Sequence, residues 1–255
     1  MSRTIGILAG KGGVGKTTLT ANLGYALTEL GNKVTLVDAN LTTPHLGFHL
    51  GMHLVPKTLH DVLRGYTSVR NATYVHPLGF KVIPGSISVK DLVNVDIAKL
   101  SNVTSHLSDK SDFILLDCAP SLGREAITAL QATDEVLIVT NPDLPSVADA
   151  LKTLKFAQKT GKIFSGAVLN RVKWGSGELK KSEVEEILGS RIIAEIPEDK
   201  NVPKSIAAKT PVLDFSTNSP ASTEIRRLAH HLVGKEYNIR TNYGFLDWLV
   251  GWMTK

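Results

Sequence analysis

The sequence predicts an α/β fold, a mostly parallel central sheet flanked by helices on both faces. Three observations carry that expectation. Short β-branched runs alternate with longer stretches of helical period, the signature of repeated βαβ units. Several of these runs are apolar throughout rather than alternating, as strands covered on both faces are. A glycine-rich stretch at residues 10–17 separates the first such run from the first helical one. At 255 residues the chain can bury a full core as one large domain, or as two. No apolar run approaches the roughly 18 residues of a membrane-spanning helix. The single cysteine, Cys118, excludes an internal disulfide and any paired-cysteine metal or redox site. A net charge of +5, from 29 basic and 24 acidic residues, is compatible with an anionic membrane or nucleic acid and demands neither.

The first strand is expected over 4–9. The opening MSRTIGILAG has one arginine and a short apolar stretch but no small-residue cleavage site, and reads as the start of a cytoplasmic fold. Then come Gly10-Lys11-Gly12-Gly13-Val14-Gly15-Lys16-Thr17-Thr18 and a helical pattern over 17–31. Strand, loop and helix in that order make a phosphate-binding loop. The glycines let backbone N–H groups turn inward onto phosphates, and the helix adds its positive amino end. Lys16 would reach the outer phosphates, and the Thr17 hydroxyl can ligate Mg²⁺.

A second strand over 33–37 runs into Asp38-Ala39-Asn40-Leu41. His45, His49 and His53 follow at every fourth position, but Pro44, Gly47 and Gly51 argue against a regular helix. These histidines are read as decorating the segment rather than binding metal. Strands are next expected over 80–83 and 113–117. The latter is apolar and ends in Asp117, a carboxylate that would hold Mg²⁺ through water. Cys118, beside it, reads as packing. Residues 101–111 and 171–182 lack a strong period and are expected as loops or helix ends. Helices over 124–132, 146–161, 178–189 and 221–233, and strands over 135–140, 163–169 and 191–195, complete the pattern.

The form Lys11-Gly12-Gly13-Val14-Gly15-Lys16-Thr17 resembles the deviant Walker A motif of the MinD/ParA family of P-loop NTPases, and the later motifs resemble that family in order along nearly the whole chain. The resemblance implies an ATPase that binds ATP and Mg²⁺ and forms a homodimer in the ATP state. Lys11 would reach the partner's phosphates, a cation supplied in trans like an arginine finger. Asp38 would stand near the attacking water and Mg²⁺. Asn40 occupies a position where many relatives have a second carboxylate. An amide orients water but cannot take its proton, so slow turnover is implied. The candidate catalytic set is therefore Lys11, Lys16, Asp38 and Asn40, and the metal set Thr17, Asp38 and Asp117. Asp117-Cys118-Ala119-Pro120-Ser121-Leu122-Gly123 resembles the second switch, with Ser121 in place of the usual glycine. Asn170, followed by Arg171, matches the position that reads the adenine edge, and Pro197-Glu198-Asp199 resembles the loop closing over the base. The Lys and Asp pattern by which related GTP binders read guanine is missing, which favours ATP. Asp149 matches a partner-facing position, with an ordinary first-turn helix charge as the alternative.

Three regions are expected: an ATPase domain over 1–233, a flexible linker over 234–244 and an amphipathic tail over 245–255. On a helix, Asp247, Gly251 and Thr254 would form one narrow polar or small stripe. Phe245, Leu246, Trp248, Leu249, Val250, Trp252 and Met253 would fill the rest. The tail is too short to span a bilayer, and its tryptophans suit the interface plane. MinD proteins end in a similar targeting helix. The implied protein is peripheral on the cytoplasmic face of the cell membrane, anionic or neutral. With an unidentified protein partner it would position an apparatus such as the division machinery. A tail docked on protein is the alternative. Iron–sulfur relatives need paired cysteines, and Tyr237 with Tyr243 is too little for the tyrosine-kinase branch. A ParA-like DNA-partitioning ATPase would need a basic surface, and a nonhydrolysing scaffold would be consistent with Asn40. The apolar tail argues against the DNA-partitioning reading, and no specific nucleic acid is expected.

Overall fold

The computed structural model describes residues 2–237. Eight strands form one sheet: β1 (Arg3–Leu8), β2 (Val34–Ala39), β3 (Tyr74–Val75), β4 (Lys81–Ile83), β5 (Phe113–Cys118), β6 (Glu135–Thr140), β7 (Ile163–Val172) and β8 (Ile192–Pro197). Their spatial order is β3-β4-β2-β5-β1-β6-β7-β8. Every pairing is parallel except β3 with β4. Because side chains alternate across a strand, each central strand feeds two cores. Ile5, Ile7, Leu36 and Leu115 face one core, with helices α1 (Lys16–Glu29) and α10 (Pro220–Leu232). Val37, Ile114, Leu116 and Ile138 face the other. That second layer holds α3 (Leu59–Leu63), α4 (Leu100–Ser108), α5 (Arg124–Gln131), α6 (Leu144–Lys159) and α7 (Lys181–Leu188). Three short helices, α2 (Leu46–His49), α8 (Asn201–Ala207) and α9 (Val212–Phe215), border the carboxyl ends of β2 and β8. The expected fold class is the observed one.

The order matters for function. From β1 the chain crosses to β2 through α1 on one face, and from β5 to β6 through α5 on the other. β1 therefore lies at a switch point, where open α/β sheets leave a crevice at the carboxyl ends of their strands.

Some elements differ from expectation. Residues 100–108 form a regular helix, α4, that buries Leu100, Val103, Thr104 and Leu107. The apolar positions do follow a helical spacing, but the intervening Ser101, Asn102 and Ser105 mask it. The 171–182 stretch divides in two: β7 continues to Val172, and α7 starts at Lys181, later than position 178. The two-residue edge strand β3 is too short to show a period. The start of the expected linker is structured. Gly234 adopts φ 69°, and Gly234 and Lys235 donate their N–H groups to His231 and His230 carbonyls, a Schellman-type end to α10. The Tyr237 ring then meets the His230 ring edge-on at 4.8 Å. The membrane candidates Phe245, Leu246, Trp248, Leu249, Trp252 and Met253 lie outside the described residues. Among the described residues no helix is long and apolar enough to cross a membrane.

Candidate functional site

The crevice begins at the loop between β1 and α1. Gly15 has φ 95°, and a Cβ there would collide with the Asn170 carboxamide nitrogen. A Cβ on Gly10 would fall into the backbone of Asp149 in α6. These two positions require glycine because neighbours press on the loop from both sides. Asn170 Nδ2 donates to the Val14 carbonyl at 2.7 Å, so the residue expected to read adenine also anchors the phosphate loop. Asp149 stands beyond the first turn of α6 and pairs with Lys152 at 3.1 Å.

Beneath the loop lies an unusual concentration of buried charge. Asp38 and Asp117 are register partners on β2 and β5 and are both fully buried. Lys16, 7% exposed, donates from Nζ to Asp117 Oδ1 at 2.9 Å. Burial alone would lower the Lys16 ammonium's pKa, but the charge and hydrogen bond of Asp117 more than offset it, leaving it above its usual value. Burial, then the charge of Asp117, holds the Asp38 carboxyl well above the carboxylate range, against the opposing hydrogen bond from the Leu46 amide. That amide donates to Asp38 Oδ2 at 3.0 Å and fixes the start of α2. Asp38 Oδ1 and Asp117 Oδ2 have no partner. Two orphaned carboxylate oxygens on register-paired residues form a donor set suited to a hard divalent cation. They fit Mg²⁺, and Thr17, the second residue of α1, lines the cleft alongside Lys16.

Two clefts meet at this point. One, about 370 Å³, is lined by Lys11, Lys16, Thr17, Asn40, His45 and His49. The other, about 190 Å³, is lined by Asn170, Arg171, Pro197-Glu198-Asp199, Val202 and Ile225. They share Gly15, Thr18, Arg171 and Ile206 and so form one crevice, with the phosphate loop at one end and Asn170 and the 197–199 loop at the other. Arg171, at the junction, has φ 58° where β7 shifts register against β8. Lys11 is exposed at the phosphate-loop end. Asp199 braces the far wall, accepting backbone N–H groups from Asn201 and Ala221.

The structure adds details that sequence spacing did not supply. Asn40 is not free: its Nδ2 donates to the Thr43 carbonyl at 2.7 Å and its Oδ1 accepts from the Thr43 hydroxyl at 3.1 Å. Residues 46–49 form one short turn of helix despite Gly47, placing His45 and His49 on the cleft wall, where His49 Nε2 lies 3.3 Å from the Thr18 hydroxyl. Ser121 adopts φ 64°, a left-handed conformation that glycine takes more easily. It ties the second switch to the phosphate loop through its N–H to Ala9 O, 3.1 Å, and its hydroxyl to Gly10 O, 3.3 Å. Cys118 is fully buried, and burial pushes its thiol up to about 12, so it packs and does not react. Val202, Ile206 and Ile225 went unrecognised as part of the base wall because each reads as ordinary helix core.

A glycine-rich loop feeding a helix, a buried lysine and two strand-end carboxylates at a sheet switch point define a P-loop ATPase that works with ATP and Mg²⁺. A family model described as an AAA domain matches residues 2–164. An uncharacterised ATP-binding protein of Methanocaldococcus jannaschii is 36% identical over 93% of this chain and 90% of its own length. The septum site-determining protein MinD of Thermotoga maritima is 30% identical over 100% of this chain and 98% of its own. The structure of Pyrococcus horikoshii MinD complexed with Mg-ADP superposes with a TM-score of 0.88 at 33% identity, covering 91% of this chain and 96% of that one. The chain belongs to the MinD/ParA family of ATPases.

Proposed function

We propose that this ATPase is a slow, dimerising switch that associates reversibly with a membrane and positions a cellular apparatus there. The observation that carries the dimer is Lys11. The crevice already has a buried lysine of its own, and Lys11 stands exposed at the phosphate end, where a second subunit would face it. Lys16 and Thr17 would serve phosphate and Mg²⁺, with Asp38 and Asp117 completing the metal's surroundings. Mg²⁺ supplies charge neutralisation for the phosphoryl group. Asn170, Arg171 and the 197–199 loop would hold the base. Asn40 lacks a carboxylate and is bound to Thr43, which supports slow hydrolysis and a long-lived ATP state. The membrane part rests on the apolar sequence of residues 245–253. Co-sedimentation of the full-length protein with phospholipid vesicles, with Mg-ATP, Mg-ADP or no nucleotide, tests the reading. Enrichment in ATP alone is the expected result, and equal pelleting in all three states would overturn it.

A further inference from the structure

Another cleft, of about 480 Å³, opens at the opposite end of the sheet. Lys81 starts β4 and pairs in register with Thr35 near the beginning of β2, whereas Asp38 lies toward that strand's other end. Arg70 comes from a short 3₁₀ turn, and His106 and Lys110 from the end of α4 and just beyond it. Together with Val75 these residues line the cleft. No carboxylate is among the lining residues. Among the described residues, none pairs with Arg70, Lys81 or Lys110, whereas Arg3, Arg64, Arg226 and Arg227 each hold one. Lys110 Nζ donates to His106 Nε2 at 3.1 Å, which orients the ammonium.

The carboxyl end of α4 attracts Lys110 and His106 by its exposed carbonyls. It does not explain Arg70 and Lys81, which arrive on separate elements. Three unpaired cations converging on one concavity repel one another, and an anion bound among them would relieve that repulsion. We propose that this cleft binds a phosphate-bearing anion, either a free phosphate compound or the headgroup of an acidic phospholipid. Its size suits a small ligand. Val75, 70% exposed on the outermost strand, offers an apolar contact beside the charges. The site lies apart from the phosphate loop and does not rest on the tail.

The test uses full-length protein saturated with Mg-ADP and excess Mg²⁺, so that the phosphate loop is filled. It is titrated with inorganic pyrophosphate, and in parallel mixed with phosphatidylcholine vesicles with and without phosphatidylglycerol. Arg70→Ala/Lys81→Ala should weaken anion binding by roughly five-fold per cation removed. Lys155→Ala/Lys159→Ala, which removes as much charge elsewhere, should not. Loss of pyrophosphate binding alone assigns a free phosphate ligand, and loss of the phosphatidylglycerol-dependent increment assigns a headgroup. The proposal is overturned if neither probe binds, or if the cleft variant binds both as wild type does. Salt-sensitive DNA binding lost in that variant, with neither small probe bound, would overturn it in favour of nucleic acid. If thermal melting shows the double variant misfolded, single Arg70→Gln and Lys81→Gln variants take its place.

Discussion

Lys16 Nζ donates to Asp117 Oδ1 at 2.9 Å, so the phosphate-loop cation and the strand-end carboxylate neutralise each other in a nearly dry pocket. A bound Mg-nucleotide would exchange this contact for two others, ammonium to phosphate and carboxylate to metal. The second carboxylate, Asp38, has no such counterion and is held largely by the Leu46 amide.

The first prediction concerns Asp38. Its carboxyl is raised in the folded protein, by burial first and the charge of Asp117 next. The folded state therefore keeps this proton to higher pH than the unfolded chain does. Its stabilising contribution is complete below the unfolded carboxyl range and is lost as pH rises through the raised folded value. Nucleotide-free protein should lose stability as pH climbs out of the acid range. Asp38→Asn should flatten that slope, gain roughly 0.5–2 kcal/mol near neutral pH and lose ATPase activity. Urea unfolding at a series of pH values measures this, and an unchanged slope would assign the titration to another group.

The second concerns Asn40. Replacing it with Asp removes the donor to the Thr43 carbonyl while keeping an acceptor for the Thr43 hydroxyl. A carboxylate near the reacting water should then raise the single-turnover rate with little change in ATP affinity. An equal or lower rate would mean that the water is handled without this position.

Much of this was legible in the sequence for one physical reason: phosphate chemistry needs glycine, lysine, hydroxyl and carboxylate at fixed places along the chain. Gly10 to Thr17, Asp38 and Asp117 stand out as candidates on those grounds, and the apolar strands between them predict the sheet that is observed. The Thr43 clamp on Asn40 and the left-handed Ser121 could not. The first depends on a loop closing on itself, and the second on a backbone angle that serine's chemistry does not announce. Helix α4 was hidden by polar residues on its outer face, although Leu100, Val103 and Leu107 are buried.

The third prediction follows from the loop's packing. Gly15→Ala must place a methyl group at φ 95° against Asn170 and should destabilise the protein by roughly 2 kcal/mol while weakening nucleotide binding. Asn170→Ala loses the bond to the Val14 carbonyl, but it also removes the clash. The double variant should therefore be more stable than the two single costs imply, by roughly 0.5 kcal/mol or more. Simple additivity in a double-mutant cycle would show that the two residues do not press on one another.

A fourth separates the two lysines. Lys16→Ala should abolish nucleotide-dependent dimerisation by removing the phosphate contact. Lys11→Ala should still bind ATP, yet lose the stable dimer and slow turnover by roughly 10³-fold, the lower end for a cation supplied in trans. Light scattering with Mg-ATP and a nucleotide-binding titration tell the variants apart. Normal hydrolysis by Lys11→Ala would remove that residue from the reaction.

The last prediction is the membrane switch. One tail of about seven apolar side chains compares with a single lipid anchor, whose binding is marginal and reversible. An ATP-bound dimer would present two tails, and the second would bind at an effective concentration set by the connecting chain. That raises avidity by roughly 10²–10⁴ with no new contact. The Schellman end of α10 and the Tyr237 ring against His230 hold residues 234–237 against that helix. The gain requires that both tails leave the dimer on one side. Trp248→Glu and Trp252→Glu are each expected to abolish ATP-dependent vesicle binding while dimerisation persists. Tail-deleted protein that still pelleted with vesicles in ATP would sink the idea and place residues 245–253 against protein instead.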